Sequence, residues 1–94
     1  MIKTFKSKAL KKFWERDDER GLRPDWVARI GRQLDALDVA TRPEDLDIFG
    51  YGFHALKGDR AGRFAINVSR NWRITFSFEG EDATDIDLED YHGN

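Results

Sequence analysis

The sequence lacks several features that would place the protein in a specialised class. It has no cysteine, which excludes disulfides and thiolate metal sites. No apolar run approaches the length of a membrane span, and the start MIKTFKSK lacks the apolar region of a signal peptide. With 39% hydrophobic and 36% charged residues among 94, we expect a single small soluble domain, residues 1–94, in the cytoplasm and without a membrane partner.

Positive charge is missing from the end of the chain. From Glu79 onward there are seven acidic residues and no lysine or arginine, although the net charge of the chain is only -2. Residues 48–78 have the opposite balance, with five basic residues and one acid. A polyanion can therefore bind the middle segment, and the last segment repels it unless the acids there act chemically. Composition alone leaves open that both segments are simply solvated faces.

Apolar and polar residues alternate in the second half of the chain, which is the period of half-buried strands. Residues 64–69 and 72–78 show this pattern, and residues 69–71 form a connection short enough for a hairpin. Similar patterns at 53–57 and 84–89 predict four consecutive antiparallel strands with one apolar face. The other face is expected to carry Lys57, Arg73, Thr75 and Ser77.

The first half of the chain has to cover the apolar face of this sheet. Residues 2–5 predict a short opening strand, Ser7 caps a helix that ends at Gly21, and Pro24 opens a second helix that runs to about Ala40. We expect the loop at residues 42–52 to be attached to the core by Leu46, Ile48 and Phe49. The predicted fold class is α+β, with an N-terminal strand and two helices packed on an antiparallel sheet, in the order β-α-α-β-β-β-β.

Only two histidines occur, one at the start of the predicted strands and one just after the last. An antiparallel meander can bring its first and last strands to one cleft, and histidine suits proton transfer at neutral pH. The candidate residues for proton transfer are His54, Asp90, Tyr91 and His92, and those for phosphate binding are Lys57 and Arg73. Together they suit the cleavage of RNA without a metal.

Such a site would use the ribose 2′-hydroxyl to attack the neighbouring phosphodiester. The reaction needs a base for that hydroxyl, an acid for the departing 5′-oxygen and cations for the charge on the phosphorane. Arginine suits the last task because its planar fork meets two phosphate oxygens at once. DNA, which lacks the 2′-hydroxyl, could not react in this way.

Each candidate residue also has an ordinary structural explanation. His54 could be a structural residue, residues 90–92 could be a frayed terminus, and Arg73 could lie on a solvated face or pair with an acid of the next strand. A metal site formed by His54, Asp90 and His92 is a further alternative, although their spacing matches no recognised ligand motif.

Three motifs resemble those of HigB toxins, which belong to the RelE/ParE superfamily of bacterial toxin–antitoxin systems. They are LKGDRAG at residues 56–62, NWRITF at 71–76 and DYH at 90–92, and the similarity extends over essentially the whole chain. The resemblance implies a toxin that enters the ribosomal A site and cleaves mRNA during translation, with no metal or other cofactor. It also implies a HigA-like antitoxin with a helix-turn-helix domain, and contact with operator DNA only through the antitoxin complex.

The resemblance further implies which residues of this chain are functional. His54, Asp90, Tyr91 and His92 match catalytic positions, while Lys57 and Arg73 match positions linked to phosphate contact. Such toxins are often basic, whereas this chain is mildly acidic, so we expect weak binding to free RNA and dependence on the ribosome. The alternatives are a ParE-like toxin that inhibits DNA gyrase without cleaving RNA, and a catalytically silent binding module, because fold alone does not determine function.

Overall fold

The computed structural model describes residues 1–91, which form two helices and a four-stranded antiparallel sheet. The helices are α1 (Lys8–Arg16) and α2 (Val27–Val39), and the strands are β1 (His54–Ala55), β2 (Phe64–Asn67), β3 (Trp72–Glu79) and β4 (Asp82–Asp90). Short 3-10 turns occupy Pro24–Trp26, Pro43–Leu46 and Gly58–Arg60. The strands lie in chain order, β1-β2-β3-β4, so the predicted α+β fold with its antiparallel meander is confirmed.

The N-terminal segment pairs with β4 but does not form the regular strand that the sequence predicted. Ile2 bridges to Ala83 and Phe5 bridges to Ile86, both in parallel orientation. Between these two bridges Asp85 adopts a left-handed φ of 51°, and the β3–β4 register shifts beside it. Because this bulge interrupts the ladder, the segment makes two isolated bridges instead of a continuous strand.

Helix α1 begins as predicted but ends earlier. The Ser7 side chain accepts a hydrogen bond from the backbone N–H three residues later at 3.1 Å, which is the expected N-cap contact. The helix ends at Arg16, because Asp17 takes a left-handed conformation with φ 55° and forms the C-cap. The predicted end at Gly21 was therefore wrong. Gly21 instead allows close packing, since a Cβ there would lie 2.9 Å from the Ala9 Cβ.

Helix α2 supplies most of the cover for the apolar face of the sheet. Helix α2 follows the turn that starts at Pro24, and Ala40 is the C-cap of the helix, as predicted. Its inward side chains and those of the strands are fully buried: Ile30, Leu34 and Leu37 from the helix, and Ile66, Ile74 and Phe76 from the sheet. Burial of this apolar surface is the main force holding the two layers together. No helix within residues 1–91 is long and apolar enough to cross a membrane.

The loop after α2 is attached to the core by one of the three predicted side chains. Leu46 is fully buried, whereas Ile48 and Phe49 are exposed, so the prediction was wrong for these two. The chain reverses direction directly after Leu46, where the Ile48 N–H donates to the Leu46 carbonyl at 2.8 Å. After this turn the side chains of Ile48 and Phe49 face outward, and Tyr51 packs against the core instead.

Candidate active site

The sheet face opposite the helices carries the polar side chains, and we call it the polar face. Strand alternation and the observed register place these residues on it: His54, Ala65, Asn67, Arg73, Thr75, Ser77, Asp87, Glu89 and Tyr91. The face is not simply solvated, because Ala65 and Thr75 are fully buried. Residues 57–63, which connect β1 and β2, fold across it, and Arg60 reaches Glu89 on the far strand β4. The polar face is thus partly covered by a loop.

Arg63 fixes one end of this loop to the sheet. Its Nη1 donates to the Ser77 hydroxyl at 3.2 Å, and its Nη2 donates to the Thr75 hydroxyl at 2.8 Å and to the Asp85 carbonyl at 2.9 Å. These acceptors lie on β3 and β4, so a single guanidinium spans the space from β2 to β4. Its hydrogen bonds are directed at the sheet itself, which makes Arg63 a structural cation.

Arg60 and Glu89 form an ion pair above the buried Thr75. Arg60 Nη2 donates to Glu89 Oε2 at 2.6 Å, and the Thr75 hydroxyl donates to the same oxygen. Burial alone would raise the pKa of Glu89, but hydrogen bonds from Arg60 and Thr75 and the charges of Arg60 and Arg63 outweigh it, so the pKa lies below its ordinary value of 4.5. The pKa of Arg60 is raised, chiefly by its hydrogen bond to Glu89. Both groups therefore remain charged at neutral pH.

Tyr91 lies directly after β4, next to two arginines. The Arg73 guanidinium carbon lies 5.2 Å from the centroid of its ring, a cation–π contact. Arg73 Nη1 also donates to the carbonyls of Ser69, Arg70 and Trp72, so Arg73 connects the β2–β3 turn with Tyr91. The Tyr91 hydroxyl is buried and makes no hydrogen bond of good geometry with the described residues, although it lies close enough to Arg60 for a weak hydrogen-bonding and electrostatic interaction that helps to raise the pKa of Arg60.

His54 is exposed on the polar face, with one ring nitrogen held in place. The register pairs His54 with Ala65 and Ala65 with Thr75, so these three share a face. His54 Nδ1 lies 3.0 Å from the Gly52 carbonyl oxygen, which can only accept a hydrogen bond. The proton therefore belongs on Nδ1, which leaves Nε2 of the neutral ring as the proton acceptor. Gly52 itself has φ 58°, and a Cβ there would lie 2.3 Å from Asn67 Nδ2.

The remaining predicted residues have different locations. Lys57 is exposed at the start of the loop that crosses the polar face. Asp90 pairs in register with Trp72, whose ring packs 5.3 Å from that of Trp26 beside α2. Because side chains alternate along a strand, Asp90 lies on the helix-facing side and Tyr91 on the polar face. His92 lies outside the described residues. The structure thus brings Arg73 and Tyr91 into contact, and Asp90 lies on the other side. His54 shares the face of Arg73, but its strand β1 is at the opposite edge of the sheet from β4.

Within residues 1–91, no group of three or more His, Asp and Glu side chains could hold a metal ion. The residues that sequence reasoning missed are Arg60, Arg63 and Glu89. A signal for Glu89 was present in the sequence, because Glu89 lies two residues before Tyr91 in an alternating strand pattern. Nothing in the local pattern showed that Arg60 would cross the sheet to meet it.

Comparison with known proteins agrees with the motifs. The family model described as the RelE-like toxin of the type II toxin-antitoxin system HigB matches residues 3–92. A protein named Endoribonuclease HigB, from Proteus vulgaris, is 46% identical over 92 residues, which cover 98% of this chain and 100% of that protein. The family that the motifs predicted is therefore confirmed. The chain belongs to the HigB-like family of RelE-like toxins of type II toxin–antitoxin systems, and its partner is accordingly an antitoxin.

Proposed function

We propose that this toxin is an endoribonuclease that cuts translated mRNA in the ribosomal A site and thereby inhibits translation and growth. The observation that carries the proposal is the placement of the Tyr91 hydroxyl, buried and without a well-formed hydrogen bond to the described residues, beside Arg60 and Arg73. A polar hydroxyl among guanidinium groups suits proton transfer beside a phosphate. The name of the relative from Proteus vulgaris supports the same activity.

In the proposed reaction a base removes the proton of the ribose 2′-hydroxyl, and the 2′-oxygen attacks the neighbouring phosphorus. The bond to the 5′-oxygen breaks, and an acid returns a proton to that oxygen. The products are a 2′,3′-cyclic phosphate and a free 5′-hydroxyl. The protein has to supply the base, the acid and positive charge for the phosphorane.

We assign these tasks to residues of the polar face and the end of β4. Tyr91 and His92 share the proton transfer, with His54, whose Nδ1 is held by the Gly52 carbonyl, as an acid or orienting group. Arg73 and Lys57 bind the phosphate. Asp90, which sequence reasoning selected for proton transfer, lies on the helix-facing side, so we propose that it positions the end of β4.

The proposed partners are those of a toxin that acts on translating ribosomes. A HigA-like antitoxin with a helix-turn-helix domain neutralises the toxin, and operator DNA is contacted only through the complex of the two proteins. The ribosome presents the mRNA, which places the activity in the cytoplasm. The proposed chemistry uses side chains alone and requires no cofactor.

Primer extension on mRNA from cells that briefly express the toxin tests the proposal. Wild type is expected to produce cuts inside translated codons, and His92→Ala is expected to produce none while still binding the antitoxin. Intact transcripts combined with growth arrest and DNA-damage signalling would contradict the nuclease and indicate gyrase inhibition.

A further inference from the structure

The arginines that reach the polar face differ in how many of their guanidinium N–H groups already donate hydrogen bonds to the protein. Arg63 directs both terminal nitrogens at hydroxyl and carbonyl groups of the sheet. Arg73 uses Nη1 for the carbonyls of the β2–β3 turn, and its Nε is buried. Arg60 binds Glu89 through Nη2, and its side chain remains 40% exposed. Arg60 therefore remains accessible to an approaching substrate despite its ion pair with Glu89.

The position of Arg60 is fixed from two directions. Its backbone belongs to a tight turn in which the Ala61 N–H donates to the Gly58 carbonyl and the Arg63 N–H donates to the Arg60 carbonyl, each at 3.1 Å. Its guanidinium is held by Glu89, whose side chain is only 23% exposed. Glu89 in turn accepts a hydrogen bond from the buried Thr75. Little side-chain freedom remains to be lost when Arg60 binds a ligand.

The charge balance of the face also favours an anionic ligand. Asp87 and Glu89 offset two of the three guanidinium groups on this face, which leaves one positive charge in excess. Glu89, the partner of Arg60, lies two residues before Tyr91 and in register with Arg73, whose guanidinium carbon is 5.2 Å from the centroid of the Tyr91 ring. A phosphate placed at Tyr91 would therefore meet the remaining N–H groups of Arg60.

We propose that Arg60 is a further RNA-binding residue, one that contacts the phosphate at which cleavage occurs, and that Glu89 is a positioning residue that holds Arg60 beside Tyr91. This inference rests on the proposed nuclease function. Arg60 contributes N–H donors to the phosphorane, where charge accumulates during the reaction. Glu89 acts only through Arg60, since its carboxylate would otherwise repel the phosphate.

The test uses purified toxin and ribosomes carrying a defined mRNA. Single-turnover cleavage is followed at increasing toxin concentration, which gives the rate at saturation and the half-saturating concentration. The variants are Arg60→Gln, Glu89→Gln and the double variant, each with its melting temperature. Arg20→Gln is the matched control, because it removes an arginine that pairs with Asp18 at 2.9 Å before α2, away from the polar face.

Arg60→Gln is expected to lower the saturated rate by about 100- to 1000-fold, comparable to the loss of one donor to a developing anion, whereas Arg20→Gln is expected to leave the rate unchanged. Glu89→Gln should also lower the saturated rate, and the double variant should be no slower than Arg60→Gln alone, because the two residues act as one unit. A positioning role predicts that these variants lower the saturated rate and leave the half-saturating toxin concentration unchanged. A loss of folded protein would not produce this combination.

If folded Arg60→Gln cleaves mRNA at the wild-type rate, the proposed role of Arg60 is overturned. If the rate reductions of the two single variants multiply in the double variant, the proposed role of Glu89 is overturned. If Arg60→Gln does not fold, Arg60→Lys is measured instead, since it retains the ion pair but not the planar fork. A reduced saturated rate is then expected, and an unchanged rate overturns the proposal. Failure of the wild type to cleave any mRNA would instead overturn the proposed function itself.

Discussion

At the scale of single residues, the hydroxyl of Tyr91 is the most informative group of the polar face. It is buried, and no described residue offers it a well-formed hydrogen bond. A buried polar group without a partner costs on the order of 1–3 kcal/mol of stability. The ring accounts for the contact with Arg73, and the hydroxyl interacts only weakly with Arg60. We propose that this hydroxyl takes part in catalysis.

Tyr91→Phe is predicted to abolish mRNA cleavage without lowering the melting temperature. The substitution keeps the ring beneath Arg73 and removes only the hydroxyl, which contributes no well-formed hydrogen bond to the described structure. Tyr51→Phe is the matched control, because Tyr51 also has a guanidinium, that of Arg29, 5.2 Å from its ring centroid. Full cleavage by Tyr91→Phe would show that the hydroxyl is dispensable.

The lowered pKa of Glu89 implies that the stability of the fold depends on pH. Its pKa is lower in the folded protein than in the unfolded chain, so its charge stabilises the fold above the ordinary value of 4.5, and this contribution is lost as the pH falls through the lowered pKa. The melting temperature of Glu89→Gln should therefore fall less on acidification than that of wild type. Glu79→Gln, at an exposed position at the end of β3, serves as the control. Parallel curves for wild type and Glu89→Gln would contradict the role of the ion pair.

At the scale of secondary-structure elements, local periodicity determined what could be predicted. The alternation in residues 64–69 and 72–78 predicted β2 and β3, and the spacing from Trp26 onward predicted α2. The contact of Arg60 with Glu89 joins residues 29 positions apart, so no local pattern contained it. That a loop would partly cover the polar face was accordingly not predicted from the sequence.

The same limit applies to the candidate site. The motifs identified His54, Arg73 and Tyr91, which the register places on one face. The register of Asp90 with Trp72 puts it on the helix-facing side, whereas the ring of Tyr91, which follows the end of β4, lies beside Arg73.

Phe76→Ala or Ile66→Ala is predicted to lower the free energy of unfolding by about 2–5 kcal/mol, because each side chain is fully buried between the sheet and α2 and its removal leaves a cavity. Chemical denaturation measures the change. Val39→Ala, at an exposed position at the end of α2, should change it little. Unchanged stability of both core variants would mean that these strands do not pack as described.

At the scale of the whole molecule, positive and negative charge are separated along the sequence but meet in the fold, where Lys3 pairs with Asp82 at 3.5 Å and Arg60 with Glu89 at 2.6 Å. Residues 1–16 carry six basic residues and one acid, residues 48–78 carry five and one, and the chain from Glu79 onward carries seven acids without lysine or arginine. With a net charge of -2, the protein lacks the overall attraction for RNA that a basic protein has. Efficient cleavage should therefore require the ribosome to present the mRNA.

The most direct test of the central claim is cleavage of a ribosome-bound mRNA that carries a single 2′-deoxynucleotide at the cut position. We predict that the toxin cuts the unmodified mRNA to leave a 2′,3′-cyclic phosphate and leaves the deoxy-substituted bond intact, because that bond lacks its nucleophile. Equal cutting of both mRNAs would contradict attack by the 2′-hydroxyl, and no cutting of either would contradict the nuclease.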